Sequence, residues 1–247
     1  MNRWCLLGVG LGAYTLALLA SAPATLVDAA LQNTSQGTLR LAEAQGTLWS
    51  GSGLIEIRDT RARTGVAKEI TWRVAPESLL RGHLACEVRL ERASERFPLT
   101  LAMSRIELAN ANISLPASVL GLGVEKLAVL GLTGEVRVHV ERLSISRDAL
   151  AGNATLQWHA AGSALTQVSP LGDYELRLDG QGNTVNAILR TIEGPLRLDG
   201  EGSWTRGARP VFLAMAHVLP RDQPKLAPLL RLIAVERGAG SFELRLN

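Results

Sequence analysis

A five-residue phrase recurs along this chain, and it constrains the fold more than any other feature. Cys86-Glu87-Val88-Arg89-Leu90, Gly134-Glu135-Val136-Arg137-Val138, Tyr174-Glu175-Leu176-Arg177-Leu178 and Phe242-Glu243-Leu244-Arg245-Leu246 are close copies, and Gly194-Pro195-Leu196-Arg197-Leu198 is a looser one. Each alternates apolar and charged residues with period two. On a strand this turns one face to a core and sends Glu and Arg to water. Single-faced burial is the habit of antiparallel sheets. Further strands are predicted at Leu54–Arg58, Ile70–Val74, Leu99–Met103, Ile106–Leu108, Thr155–Trp158, Val185–Leu189 and Val211–Met215. Turn residues cluster between them, as in Asp179-Gly180-Gln181-Gly182-Asn183 and Asp199-Gly200-Glu201-Gly202-Ser203. The expected fold is mainly β: an antiparallel, curved meander of roughly a dozen short strands. Two short helices are predicted as connectors, over Leu115–Leu130 with Pro116 at its start, and over Pro224–Val235. No Ser/Gly/Pro-rich linker divides the chain.

One segment departs from this pattern. Trp4 to Val27 is an uncharged, mostly apolar run of 24 residues. As a helix it would rise about 36 Å, against a hydrocarbon core of about 30 Å. It reads as a transmembrane signal anchor over 4–27, behind a cytoplasmic stub of residues 1–3 that ends in Arg3. Residues 28–247 are then an exported β-rich domain. A cleaved signal peptide is the competing reading, with Ala22-Pro23-Ala24 as its cleavage pattern. Gly8 and Gly12, spaced as GxxxG, are candidates for packing against other membrane helices.

The charge balance, 26 Lys+Arg against 23 Asp+Glu, is too even to suggest nucleic acid. Cys5 and Cys86 fall on opposite sides of the predicted membrane boundary and form no disulfide framework. Cys86 alternates with Leu84, Val88 and Leu90 and reads as a small buried residue. The histidines His83, His139, His159 and His217 lack partners at metal-ligand spacing, so no metal or other cofactor is expected. Ser50, in Gly46-Thr47-Leu48-Trp49-Ser50-Gly51-Ser52-Gly53, lacks the G-x-S-x-G frame of a nucleophile elbow, and the stretch lacks the ending of a phosphate loop. The chain is not expected to be an enzyme. Trp49, Trp72, Trp158, Trp204 and Tyr174 stand in or beside strand phrases, as core residues or as partner-binding anchors.

Several of these residues also carry a resemblance. Pro23-Ala24-Thr25-Leu26-Val27, Gly46 to Ser52, Trp72-Arg73-Val74-Ala75-Pro76-Glu77-Ser78-Leu79-Leu80-Arg81-Gly82, Trp158, Pro170-Leu171-Gly172-Asp173-Tyr174, Gly202-Ser203-Trp204 and Leu229-Leu230 follow one another in an order and spacing that resemble the protein N family of bacterial type II secretion systems. The most specific parts are Thr47-Leu48-Trp49-Ser50-Gly51 and Pro170-Leu171-Gly172-Asp173-Tyr174. The resemblance implies a single-pass inner-membrane protein of a Gram-negative bacterium, with its bulk in the periplasm. It implies an accessory, non-enzymatic role in exporting folded proteins from the periplasm, with other type II secretion subunits as partners. The alternative is an envelope protein that binds or handles lipid in an open apolar groove.

Overall fold

The computed structural model describes residues 3–58, 65–90, 96–123, 127, 129–146, 149–209, 211–238 and 240–246. The chain divides into two compact units, Met1–Arg96 and Phe97–Asn247. Residues 1–2 of the expected stub lie outside the described residues.

The first unit opens with two helices, α1 over Arg3–Ala20 and α2 over Thr25–Thr34. The single helix expected over 4–27 is therefore broken at residues 21–24. Pro23 explains the break: a proline disfavours helix in the residue before it, and Pro23 instead forms an antiparallel bridge with Thr47. Among the described residues no helix is long and apolar enough to cross a membrane. Four antiparallel strands follow in sheet order: β1 Leu39–Gly46, β2 Ser50–Arg58, β3 Gly65–Ala75 and β4 His83–Leu90. A 3-10 turn, Pro76–Arg81, links the last two and ends on Gly82 in the left-handed conformation at φ 76°.

Helix α2 lies against β1, the outermost strand of this set. The carboxylate of Asp28 accepts the Leu41 backbone N–H at 2.8 Å and the Gln32 side-chain amide at 2.7 Å. An edge strand's unpaired N–H is an invitation to another chain, and here a side chain covers it. The hydrogen bond from Gln32, then that from Leu41, lowers the pKa of Asp28 below its ordinary value. A lowered folded-state pKa contributes stability that is present at neutral pH and lost as pH falls through that lowered value. The Leu41 amide is therefore expected to lose protection from hydrogen exchange below the usual carboxylate range. Asp28→Ala should show the same loss already at neutral pH. Protection that stays flat across that range in the natural chain would exclude this clasp.

The second unit is a meander of antiparallel strands: β5 Phe97–Ala102, β6 Arg105–Pro116, β7 Leu132–Ser146, β8 Leu150–Ser163, β9 Gly172–Gln181, β10 Thr184–Glu193, β11 Leu196–Thr205 and β12 Val211–Val218. Chain order is also sheet order until β12, which pairs with β14 Ser241–Leu246; β13 Val235–Gly238 lies outside β14. The predicted strands fall within the strands of the two units, except that Met103 lies in the turn after β5 and Gly194-Pro195 precede β11. The helix expected over Leu115–Leu130 does not form as such: β6 runs on to Pro116, followed by a 3-10 turn at Ala117–Val119 and a single helical turn, α3, at Leu120–Gly123. The period-two run Ile113-Ser114-Leu115 prevails, opposite Val138, Arg137 and Val136 of β7. The helix expected over Pro224–Val235 is shorter, α4 at Gln223–Leu230, because Val235 begins β13.

The cross-strand register aligns one apolar face through β6 to β12 and β14. Leu115 stands opposite Val136, Val136 opposite Trp158, and Trp158 opposite Tyr174. At the other end Leu196 meets Val218, and Ala216 meets Phe242. Leu226, Leu229 and Leu230 of α4 pack on this end with Leu130 and Leu171, making the core of the unit. Phe242, Leu226 and Leu230 are its largest fully buried side chains. The opposite face holds the charges. Glu and Arg two apart on a strand share a face, and Arg137–Glu135 at 3.0 Å, Arg177–Glu175 at 2.7 Å and Arg245–Glu243 at 2.6 Å are ion pairs built by the recurring phrase. Exposed pairs of this kind contribute little to stability.

Candidate functional site

The residues expected to act as anchors gather at two places, one in each unit. The first is the joint between α1 and the sheet. A helix leaves its last carbonyls without intrahelical partners, and the Trp49 indole N–H donates to one of them, Leu19, at 2.8 Å. The backbone follows: Leu48 N–H donates to Ala22 at 2.8 Å, and Ala24 N–H donates to Gly46 at 3.2 Å. Ala22 and Ala24 are buried beneath this turn.

The turn itself is fixed by its sequence. Thr47 Oγ1 accepts the N–H groups of Trp49 at 3.3 Å and Ser50 at 3.2 Å, and Thr47 N–H donates to the Ser50 carbonyl at 2.9 Å. Gly46 sits at φ 90°, where a Cβ would lie 2.5 Å from the Ser50 carbonyl oxygen; only glycine fits. The indole of Trp72 lies against Gly51, with no room for a Cβ there, and its N–H donates to the Leu48 carbonyl at 3.2 Å. Gly46 to Gly51 and Trp72 thus form one clasp on the end of α1. Ser50 is exposed within it, at the start of β2.

Trp72 is buried, whereas Trp49 is half-buried. Trp49→Phe keeps the ring and deletes the N–H, and is expected to cost about 0.5–1.5 kcal/mol, the net worth of one hydrogen bond. Thermal unfolding of the full chain gives the cost, and faster exchange at the Leu48 amide would place it at the joint. An unchanged Leu48 amide would remove Trp49 from the clasp.

The second place is where β8 turns toward β9. Ala160 has a positive φ of 46°, and the ladder shifts register between Trp158 and Ala161. Asp173 holds this bulge, accepting Ala160 N–H at 2.8 Å and facing His159 Nδ1 at 3.2 Å. The Tyr174 hydroxyl is buried and lies 2.9 Å from the Leu196 carbonyl and 3.1 Å from that of Leu171. Burial first, and the charge of Asp173 second, push its pKa up. Gly172 leaves space for that hydroxyl, which a Cβ would approach to 3.0 Å. Trp158 packs its ring 5.9 Å from that of Tyr174 and donates to the Thr133 carbonyl at 3.0 Å. Leu171 continues into the core under α4. Tyr174 and Trp158 are therefore internal braces between neighbouring strands.

The remaining expected residues lie apart. Trp204 is half-exposed on β11, on the apolar face. Gly8 and Gly12 lie in α1 but outside the residues whose side chains are described; Gly10 between them faces open space. The four histidines stand on four different strands. His139 Nδ1 meets Asn112 at 2.5 Å and His217 Nδ1 meets Ser241 at 3.1 Å. Among the described residues no group of His, Cys, Asp or Glu could hold a metal ion. Cys86 is buried, and burial pushes its thiol pKa up.

Asp28 and Asp173 were not singled out by the sequence. Each accepts a backbone N–H that the ladder leaves over. Asp173 stood within the Pro170–Tyr174 motif, which was a signal for it; Asp28 had none.

The family model described as Type II secretion system (T2SS), protein N, matches residues 37–245. That span takes in the strands of both units up to the last residue of β14, together with Gly46 to Gly51, Trp72 and the Trp158–Tyr174 cluster, and leaves out α1 and α2 with the Leu19, Ala22 and Ala24 partners of the first cluster. No curated protein and no solved structure matches the chain.

Proposed function

This chain belongs to the type II secretion system protein N family, and from that premise we propose that it is an accessory, non-enzymatic component of the secretion machine. It sits at the inner membrane, with its strand-rich units in the periplasm, and takes part there in the export of folded proteins. Its partners are other subunits of the same system.

The observation that carries this reading is the clasp on α1. One of the two motifs that most specifically carry the resemblance, Thr47 to Gly51, is spent on holding a helix whose own surface stays apolar and exposed: Leu11, Tyr14, Leu18 and Leu19 all face outward. Eighteen helical residues rise about 27 Å, short of the hydrocarbon thickness of about 30 Å, so α1 is read as an apolar helix seated at the membrane and not as one that crosses it. Trp49 at the end of that helix is the kind of amphipathic ring found at membrane interfaces. A sheet held so firmly to an apolar helix is placed at a fixed height above the membrane, which is what a subunit needs to meet fixed neighbours. Tyr174 and Trp158 serve packing, which also suits a structural part.

The test replaces residues 3–27 by a cleavable signal in a strain lacking the natural gene. The exported chain is expected to accumulate folded in the periplasm without restoring secretion. Full restoration would show that α1 has no role beyond export and would overturn the anchored-subunit reading.

A further inference from the structure

Helix α4 covers only one end of the second unit's apolar face. Further along the same strands lies a trough of about 330 Å3. Leu143, Leu150, Leu178, Val185, Trp204 and Phe212 form its sides. Its middle is built from small residues set side by side: Gly152 opposite Gly180, and Ala187 opposite Gly202. A Cβ on Gly180 would come within 2.5 Å of Leu150 Cδ2, and one on Gly202 within 2.6 Å of Phe212 Cδ2. These glycines let the two side chains lie down against the strands, so the trough is surfaced with hydrocarbon.

Beside the trough lies a second hollow of about 270 Å3 that shares Leu150, Val185 and Trp204 with it and is also lined by Arg206. The guanidinium is held there by a hydrogen bond from Nη1 to the Ser146 carbonyl at 3.2 Å. A guanidinium has five N–H donors in a planar fork that suits phosphate, and this bond uses one of them. The site therefore pairs an apolar channel with a cation beside it.

That combination selects the occupant. A partner strand would bind at a sheet edge, where backbone groups are open, and not on a face. A slender apolar chain with an anionic head meets both halves of the site. We propose that this trough binds an acyl chain of an anionic phospholipid, with its phosphate at Arg206. The assignment holds whichever secretion subunits the chain contacts.

The test uses the full chain in phosphatidylcholine nanodiscs doped with a phosphatidylglycerol whose acyl chain carries a diazirine. After irradiation, adducts are mapped on proteolytic peptides. Adducts are expected on the peptides that hold Leu178, Val185 and Trp204, as well as on α1. Ala187→Trp, which fills the trough, is expected to reduce the trough adducts by about tenfold, the effect of losing roughly two buried methylenes. Arg206→Glu should reduce them severalfold, and both variants should leave the α1 adducts unchanged. A diazirine phosphatidylcholine probe should label the trough more weakly than the phosphatidylglycerol. Adducts confined to residues 3–34, or trough adducts that neither variant changes, would overturn the proposal. The two probes share the phosphate and differ in net charge, so equal labelling would overturn the preference for an anionic lipid. If Ala187→Trp shifts the melting transition, Arg206→Glu carries the test, since its side chain is exposed; unchanged labelling in that variant is then sufficient to reject the site.

Discussion

Trp72→Ala is expected to destabilise the first unit by about 3–5 kcal/mol, the usual cost of emptying a buried large aromatic site. The indole is buried, covers Gly51 and donates to the Leu48 carbonyl. Its loss opens a cavity and strands a carbonyl at the same point, and both raise the cost. The effect should also be local. Exchange should rise at the amides of Leu48, Ala24 and Val74, whose acceptors are Ala22, Gly46 and Trp49. Chemical denaturation of the full chain with residue-resolved exchange measures both. A loss below about 1 kcal/mol, in the range of an ordinary surface substitution, would mean that Trp72 does not hold the clasp.

Phe242→Ala is expected to cost about as much, about 3–5 kcal/mol, but in the second unit. Phe242 is fully buried, pairs with Ala216 across the β12–β14 ladder, and lies in the core with Leu226 and Leu230. Without it, α4 loses its seat and β14 its strongest apolar contact. Leu226→Ala should cost about 2–5 kcal/mol. The double variant should cost less than the sum, because both substitutions empty the same core and residues in contact are not additive. Additive costs would place the two side chains in separate cores.

The strands were the most legible part of the chain because the recurring phrase imposes a period of two that only a half-buried strand satisfies. Strands without a clean period were missed. In β1, Leu39-Arg40-Leu41-Ala42 begins correctly, but Glu43 has a positive φ of 53° and the register shifts before Gln45. The bulge turns the remaining side chains to the wrong face for the pattern. β13 is exposed along its whole length, so no alternation of burial marks it. The break after α1 was legible in Pro23, but the length of the apolar run outweighed it in the reading of a single span.

The candidate sites were legible only as residue types. Trp49 and Leu19 are thirty positions apart, and nothing in either neighbourhood announces their hydrogen bond. Tyr174 looked like an anchor because a large polar aromatic stands in a strand phrase. The carbonyls of Leu171 and Leu196 that occupy its hydroxyl come from the connection before β9 and from the start of β11. Motif order identified the family, whereas the work done by each motif residue depends on pairings that only the fold creates.

The central claim, that this chain works by contact with other subunits of the secretion machine, is tested most directly by crosslinking in cells. Photo-reactive residues would replace Leu11 and Leu18 on the exposed side of α1, and Val235 on the exposed edge strand β13. Adducts would be identified by mass spectrometry in a strain that secretes. The account predicts adducts with other type II secretion subunits, which disappear when the system is deleted. Positions that yield lipid alone, or the same protein adducts with the system deleted, would contradict it.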